Sequence, residues 1–565
     1  VTYENVRDWI AHDPDEVTRR ELTELLTKAE GGDDAAQADL ADRFSGPLAF
    51  GTAGLRGEMG GGEHRMNRAV VRRAAAGLMA YLREHAGEDA LLVVGYDARY
   101  NSQIFAKETA AIATAAGIRA RLMPRALPTP LLAYAVQKLG ADAGVMVTAS
   151  HNPARDNGYK VYLGGRCADQ WGQGVQLVPP ADSDIAACIA ATPPADEIRL
   201  ADGYEFIGED LIDSYIADCA ALVPAEHSRD IRIVYTAMHG VGAQIMRRAF
   251  SAAGFTNVIE VAQQCEPDPD FPTVSFPNPE EPGALDMAME LAEREHAELV
   301  IASDPDADRC SAAVPTASGW RQLSGDEIGS LLGDFMAEVA GARESSPETA
   351  TGSTLASSIV SSRLLEKIAG AHGLNYRSTL TGFKWIARVP HLAFGYEEAI
   401  GFCVNPNAVR DKDGLSAGVL LAYLAAKLRD EGSDLVSDLD RLYTRHGVYL
   451  TGPVTVRVDD LSIIGKTMDK VRSVPPTELA GAPIVGVEDL TEGTESLPPT
   501  NAIVWRTDRD DRVIIRPSGT EPKVKCYLEV IAPVAGSEAL DGAKAAARDR
   551  LEELKAAVAE ALRLD

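Results

Sequence analysis

Apolar runs of strand length alternate along this chain with longer stretches in which apolar positions recur every three or four residues. The first series predicts strands at 91–96, 119–123 and 143–147, separated by helices at 103–116 and 130–139. Such alternation marks strand–helix–strand units on a mostly parallel sheet. The pattern recurs with strands at 231–237, 258–261 and 298–302 and helices at 243–253 and 284–295. A third block predicts helices at 327–339, 363–371 and 416–429 around a strand at 392–395. The opening 1–45 stretch is charged and helical in pattern, an N-terminal extension. After about residue 450 the character changes. Short β patterns at 455–458 and 512–515 lead to a long helix at 538–562, a separate α+β domain. The Pro- and Ala-rich stretch 178–194 reads as a long loop or insertion.

At 565 residues, a prior of about 150 residues per domain gives about four domains. The expected boundaries are 1–45 (extension), 46–208, 209–322, 323–448 and 449–565. The net charge of −29 argues against nonspecific binding to nucleic acid or to an anionic membrane surface. It leaves an anionic substrate open, because a few local Arg and Lys reverse the field inside one cleft. No stretch approaches the roughly 18 uninterrupted apolar residues of a membrane span. The start lacks a basic, then apolar, leader pattern, so no signal peptide is expected. Seven cysteines (167, 188, 219, 265, 310, 403 and 526) are dispersed, without a CxxC pair. They read as free thiols, and the expected location is cytoplasmic.

Four short loops carry the chemistry. Thr148-Ala149-Ser150-His151-Asn152-Pro153 follows the strand at 143–147 and offers a serine on a turn. A serine needs a base or a metal to act as a nucleophile. Gly-x-Ser-x-Gly is absent, so a nucleophile elbow is unsupported. Taken alone, Ser150-His151-Asn152 reads as an ordinary strand-end turn. The second loop, Asp304-Pro305-Asp306-Ala307-Asp308-Arg309, sets three carboxylates on one side of an extended segment, the oxygen-rich donor set that suits Mg²⁺. An EF-hand would need Gly at loop position 6 and Glu at position 12, where Arg309 and Pro315 stand. Arg309 suits a phosphate oxygen or one of the carboxylates.

The third loop, Gly395-Tyr396-Glu397-Glu398-Ala399, offers acceptors for vicinal hydroxyls. A glycosidase pair is the rival, but neighbours on an extended chain point to opposite sides, so one of the two reaches a substrate. The fourth, Arg516-Pro517-Ser518-Gly519-Thr520-Glu521-Pro522, offers a guanidinium, hydroxyls and a glycine turn able to face an anion. Alone it is as readily a polar turn as a phosphate clamp. In this order the four are specific.

With these residues the chain resembles the α-D-phosphohexomutases, over about residues 45–535. Ser150 matches the phosphoserine loop, Asp304 to Arg309 the magnesium loop, Glu397 to Ala399 the sugar loop and Arg516 to Thr520 the phosphate loop. The resemblance is nearest to the branch of phosphoglucomutase-2-like enzymes and phosphopentomutases. Its segments here are Phe50 to Gly57, Tyr235 to Gly240 and Leu380 to Trp385.

The resemblance implies an α/β fold of four domains around a central cleft. Three are similar mixed-sheet α/β domains and the last is an α+β domain of the TATA-box-binding-protein-like type. It implies a phosphoglucomutase that interconverts glucose 1-phosphate and glucose 6-phosphate through phosphorylated Ser150 and glucose 1,6-bisphosphate, which also serves as activator. Phosphopentomutase or phosphomannomutase activity by the same mechanism is the alternative. The implied catalytic residues are Ser150, Lys160 as acid/base, Arg56, His151 and Lys412. Ser150, Asp304, Asp306 and Asp308 would hold Mg²⁺. Arg309, Lys384, Glu397, Ala399, Arg410, Arg516, Ser518, Gly519 and Thr520 would bind substrate, with His239 a weaker contact. Many members carry Ser where Ala399 stands, which opens the choice of sugar. The expected partners are small sugar phosphates, with no nucleic acid or membrane, and the expected state is a monomer or homodimer. A serine hydrolase would instead release phosphate. A non-catalytic sensor would not need Ser150 with three Asp.

Overall fold

The computed structural model describes residues 2–51, 54–344, 352–457, 461–517 and 523–563. The chain forms two compact units, Val1–Leu323 with Gly401–Ala426, and Ser324–Ile400 with Lys427–Asp565. Among the described residues no helix is long and apolar enough to cross a membrane.

The first unit opens with helices Tyr3–His12, Glu16–Glu30 and Asp34–Arg43. Each begins at a side-chain cap. Thr2 Oγ1 accepts from the Asn5 amide, Asp15 from Val17, and Asp33 from Ala35 and Ala36. Val6, Leu22, Leu26 and Leu40 give the three helices a small core of their own.

The first α/β domain centres on Leu91–Tyr96, which runs parallel to Arg119–Leu122 and Ala143–Val147. Leu91–Tyr96 and Ala143–Val147 are buried at every position, which is why their sequences are unbroken apolar runs. Ala143–Val147 then pairs antiparallel with Asp156–Leu163, and that strand with Leu55–Glu58. The second domain repeats the device. Ile233–Thr236, Val258–Glu260 and Leu299–Ser303 are parallel, and Leu299–Ser303 pairs antiparallel with Cys310–Thr316. The serine loop and the aspartate loop therefore each join a parallel strand to an antiparallel return strand beside it. Both ends of each loop are fixed by ladder hydrogen bonds.

The 178–194 stretch is not a loop. Its middle is the helix Ala181–Ala190, packed on Arg68–Ala86. Ile185 is fully buried, and Gly77 lies so close to Ile189 that a Cβ there would sit 2.5 Å from its side chain. Four alanines and isoleucines one turn apart favour the helix. The prolines at both ends are what made it read as loop.

In the second unit Thr354–Ser358 lies between Asn375–Thr379 and Leu392–Glu397, all parallel. The last domain is an antiparallel sheet in the order Val448–Arg457, Lys523–Ala532, Arg512–Pro517, Ile503–Thr507, Ala482–Asp489 and Glu478–Leu479. Helix Leu540–Ala561 packs on its first two strands. The α/β class with four domains, expected from sequence, is the fold found. Residues Gly401–Ala426 belong to the first compact unit.

Candidate active site

Ser150 stands one turn beyond Ala143–Val147, 5% exposed, with φ of +52°. That left-handed conformation is uncommon for a residue with a Cβ. The Ser150 amide donates to Thr148 Oγ1 at 2.9 Å. Its hydroxyl donates to Asp304 Oδ2 at 2.8 Å and lies 3.3 Å from His151 Nδ1. His151 is half-buried. Burial first, then the positive charges of Arg309 and Arg56, hold its pKa well below the ordinary imidazole range, so the ring is neutral. Arg56 is exposed on Leu55–Glu58, its Nη1 donating to Asn152 Oδ1 at 3.3 Å.

The aspartate loop is turned rather than extended: Ala307 has φ of +56°. The turn gathers one carboxylate oxygen from each of Asp304, Asp306 and Asp308 within 4.8 Å of one another, all three residues fully buried. Two glycines let neighbouring backbone lie against it. A Cβ on Gly240 would fall 2.3 Å from Pro305 Cα, and one on Gly414 2.1 Å from Arg309 O.

Three cations face the three carboxylates. Lys160, on the return strand Asp156–Leu163, donates to Asp306 Oδ2 at 2.8 Å and Asp308 Oδ2 at 3.0 Å. Lys412 Nζ lies 3.2 Å from Asp308 Oδ2. Arg309 Nε lies 3.7 Å from Asp308 Oδ1, and its amide donates to Asp304 Oδ1 at 3.0 Å. Burial opposes the charge on Lys160, but Asp306 and Asp308 outweigh it and hold the ammonium above its ordinary range. Burial likewise works to raise Asp306, and Lys160 pulls it below the usual carboxylate range. Asp304, desolvated and beside two other carboxylates, is pushed well above that range.

These residues fit a hard divalent cation. Asp306 Oδ1 and Asp308 Oδ1 are buried and accept no hydrogen bond. The donor set is all oxygen, as Mg²⁺ prefers.

Several supporting residues were missed in the sequence. Thr129, at the start of helix Thr129–Lys138, donates from Oγ1 to Asp306 Oδ2 at 2.7 Å. Tyr162 OH donates to Asp411 Oδ2 at 2.7 Å and Tyr215 OH to Asp413 Oδ1 at 2.8 Å, which pins the residues on both sides of Lys412. Arg99 lies under the serine loop. Strand alternation puts Lys160 and Tyr162 on one face, a signal that required Asp156–Leu163 to be recognised as a strand. Arg410 lies with its guanidinium 5.4 Å from the Trp171 ring centroid. His239 is buried, its Nε2 2.7 Å from Thr273 Oγ1, behind the aspartate loop.

In the second unit Glu397 ends Leu392–Glu397 and Glu398 follows. Glu398 Oε2 accepts from Ser358 at 3.0 Å and Ser361 at 2.9 Å. Burial, with Glu397 and Asp326 adding, pushes its carboxyl up to about 7. Glu397 and Ala399 are half-buried beside it. Arg512 Nη2 donates to Ser361 O at 2.6 Å and lies 3.4 Å from Glu529, which also holds Ser362 and Arg363. Arg516 Nη1 donates to Thr381 Oγ1, one turn before Lys384 on the short helix Phe383–Ile386. Ser518, Gly519 and Thr520 lie outside the described residues.

Profiles of the phosphoglucomutase/phosphomannomutase family match along the chain: alpha/beta/alpha domain I at 47–194, domain II at 213–319, domain III at 324–443 and the C-terminal domain at 454–536. The "probable phosphomannomutase" of Haemophilus influenzae is 44% identical over 467 residues, 82% of this chain and 93% of that protein. The phosphoribomutase of Saccharomyces cerevisiae is 34% identical over 93% of this chain and 92% of its own length. The Paramecium phosphoglucomutase pp63/parafusin superposes with a TM-score of 0.66 at 17% identity, covering 91% of this chain and 96% of that one, a likeness of fold. The chain belongs to the phosphoglucomutase/phosphomannomutase family and is a phosphomutase, an isomerase that moves a phosphoryl group within its substrate.

Proposed function

We propose that this phosphomutase works through Ser150 on an aldose monophosphate, passing its phosphoryl group between the 1-position and the terminal hydroxyl. One observation carries the reading: the Ser150 hydroxyl is held 2.8 Å from a buried aspartate triad whose other carboxylates hold Lys160 and Lys412. In the forward half-reaction the bond from phosphorus to Ser150 Oγ breaks as one to a sugar oxygen forms. The sugar hydroxyl loses its proton and Oγ gains one. Lys160, kept charged by Asp306 and Asp308, is the proton donor assigned to departing Oγ. The proton lost by the sugar hydroxyl restores Lys160, and the same exchange runs in the opposite sense in the second half-reaction, when the bisphosphate gives its other phosphoryl group back to Ser150, Oγ loses its proton and the departing sugar oxygen gains one. Neutral His151 and Arg56 line the serine side and are assigned to orienting the transferring group. Asp304, Asp306 and Asp308 would hold Mg²⁺, which when bound neutralises charge on the transferring phosphoryl group. We assign Glu397, Glu398 and Ala399 to the sugar hydroxyls, and Arg516, Lys384, Arg309 and Arg410 to phosphate oxygens. Ser518, Gly519 and Thr520 keep the phosphate-binding role that the resemblance implies.

Glucose 1-phosphate and glucose 6-phosphate are the first pair assigned, with glucose 1,6-bisphosphate as intermediate and activator. The ribose 1-phosphate and 5-phosphate pair is the second reading. It is favoured by Ala399, which offers no hydroxyl to a hexose, and by the name of the yeast phosphoribomutase, aligned over nearly the whole chain. The Haemophilus relative keeps mannose phosphates in the comparison. The test is kcat/KM with glucose 1-phosphate, ribose 1-phosphate and mannose 1-phosphate, with Mg²⁺ and the bisphosphate, while free phosphate is followed. Isomerisation without phosphate release supports the reading, and the highest kcat/KM names the sugar. Stoichiometric phosphate release would replace the mutase with a phosphatase.

A further inference from the structure

One buried guanidinium holds the serine loop from behind. Arg99 stands three residues beyond the end of strand Leu91–Tyr96, its side chain 1% exposed. Nη2 donates to Ser150 O and Asn152 O, both at 2.6 Å. Nη1 donates to Pro153 O at 2.8 Å and Asp156 O at 3.1 Å. Three backbone carbonyls of the loop and that of Asp156, which opens the return strand, thus converge on a single side chain, the first of them belonging to the left-handed Ser150. Arg99 is itself fixed. Its amide donates to Asp97 Oδ1 at 3.0 Å, Nε lies 3.4 Å from Asp97 Oδ2, and the guanidinium lies 5.0 Å from the Phe271 ring centroid. Asp97 is anchored in turn by Ser102 Oγ at 2.6 Å and by its own amide on Val147 O at 3.0 Å.

We propose that Arg99 is a positioning residue for phosphoryl transfer: by gripping the Ser150, Asn152, Pro153 and Asp156 carbonyls it fixes the backbone angle at which Ser150 Oγ meets the aspartate triad. The inference rests on Ser150 being the phosphoryl carrier. The planar fork of Arg is what the geometry demands. A lysine in its place keeps the charge but has one nitrogen, which cannot serve the 150/152 pair and the 153/156 pair together. Loss of the grip lets Ser150 relax from its left-handed conformation. A displacement of about 1 Å at the reacting atom costs on the order of a hundredfold in rate. Binding of the sugar phosphate, which engages other side chains, changes little.

The experiment uses the full chain and glucose 1,6-bisphosphate as phosphoryl donor. Phosphorylation of Ser150 is followed by intact mass: a phosphorus–oxygen bond to the sugar breaks, one to Oγ forms, and the Ser150 proton passes to the sugar oxygen. Glucose 1-phosphate binding is measured by calorimetry on the same samples. Arg99→Lys should slow phosphorylation by about a hundredfold with the dissociation constant for glucose 1-phosphate within a few-fold of wild type. Arg99→Ala should regain part of the rate in added guanidinium and none in added ammonium. Equal phosphorylation rates for Arg99→Lys and wild type would overturn the proposal. So would parallel losses of rate, binding and melting temperature in both variants, which mark a residue needed only for folding. A wild-type chain that takes up no phosphoryl group overturns the phosphoserine reading itself, and this inference with it.

Discussion

Replacing Lys160 with methionine tests the electrostatics of the aspartate triad directly. Methionine keeps much of the volume and removes the charge. Lys160 makes two short hydrogen bonds, to fully buried Asp306 and Asp308. After its loss Asp306 Oδ2 keeps Thr129, and Asp308 Oδ2 keeps Lys412 at 3.2 Å. Removing one partner of a buried ion pair costs about 3–5 kcal/mol. The lysine side chain is 15% exposed, so the lower end, about 3 kcal/mol, applies. The sign reverses for metal: a site with one positive charge fewer should bind Mg²⁺ more tightly, by at least about tenfold, or 1.4 kcal/mol. The assay is calorimetric melting of both proteins in chelator and in saturating Mg²⁺, with titration of Mg²⁺ into each. We expect the variant to melt lower in chelator and to recover much of the difference in Mg²⁺. Equal melting in chelator together with unchanged Mg²⁺ affinity would refute the reasoning, because the carboxylates would then owe nothing to Lys160.

Ser150→Ala should abolish isomerisation while glucose 1-phosphate still binds; substantial residual turnover would remove Ser150 as carrier. Gly240→Ala forces a Cβ within 2.3 Å of Pro305 and should lower stability by about 1–3 kcal/mol and weaken Mg²⁺ binding, and an unaltered melting curve and titration would contradict it. Arg516→Ala should raise KM for the phosphosugar about tenfold or more through loss of a charge-assisted contact, whereas normal steady-state constants would place the clamp elsewhere. Glu398, with its carboxyl pushed up from 4.5 to about 7, holds a proton in the folded chain that the unfolded chain releases between those values. Stability should therefore fall as pH rises through that window, by at most about 3 kcal/mol and less because solvent reaches the half-buried side chain. Glu398→Gln should flatten the change, as read by denaturant unfolding across the window, and an identical slope in both proteins would count against it.

The strands that deliver the site were legible because buried parallel strands must be apolar at successive positions, as in Ala143–Val147 and Leu299–Ser303. Ser150 and the three Asp were legible because polar residues crowd immediately after those runs. Asp156–Leu163 was not: Asp156, Asn157 and Lys160 interrupt it, and its pairing comes from the neighbouring strand rather than from its own pattern. Arg99, Thr129 and Tyr162 look in sequence like a turn residue, a helix start and a core aromatic. Their partners lie between about fifty and 250 residues away, and no local pattern records such contacts.

The links from Glu398 through Ser361 to Arg512 act as a caliper. Arg512 and Arg516 lie four residues apart on one strand, roughly 13 Å along it and on the same face. The buried Glu529 pins the Arg512 end, so the strand that carries Arg516 is held in place relative to Glu398. On the roles proposed for them, a substrate is gauged by the distance from its phosphate to its hydroxyls, before any one hydroxyl is read. A bisphosphate that must be held in two opposite orientations then has to present nearly the same span in both. On those roles, this selects sugars that are close to palindromic in length.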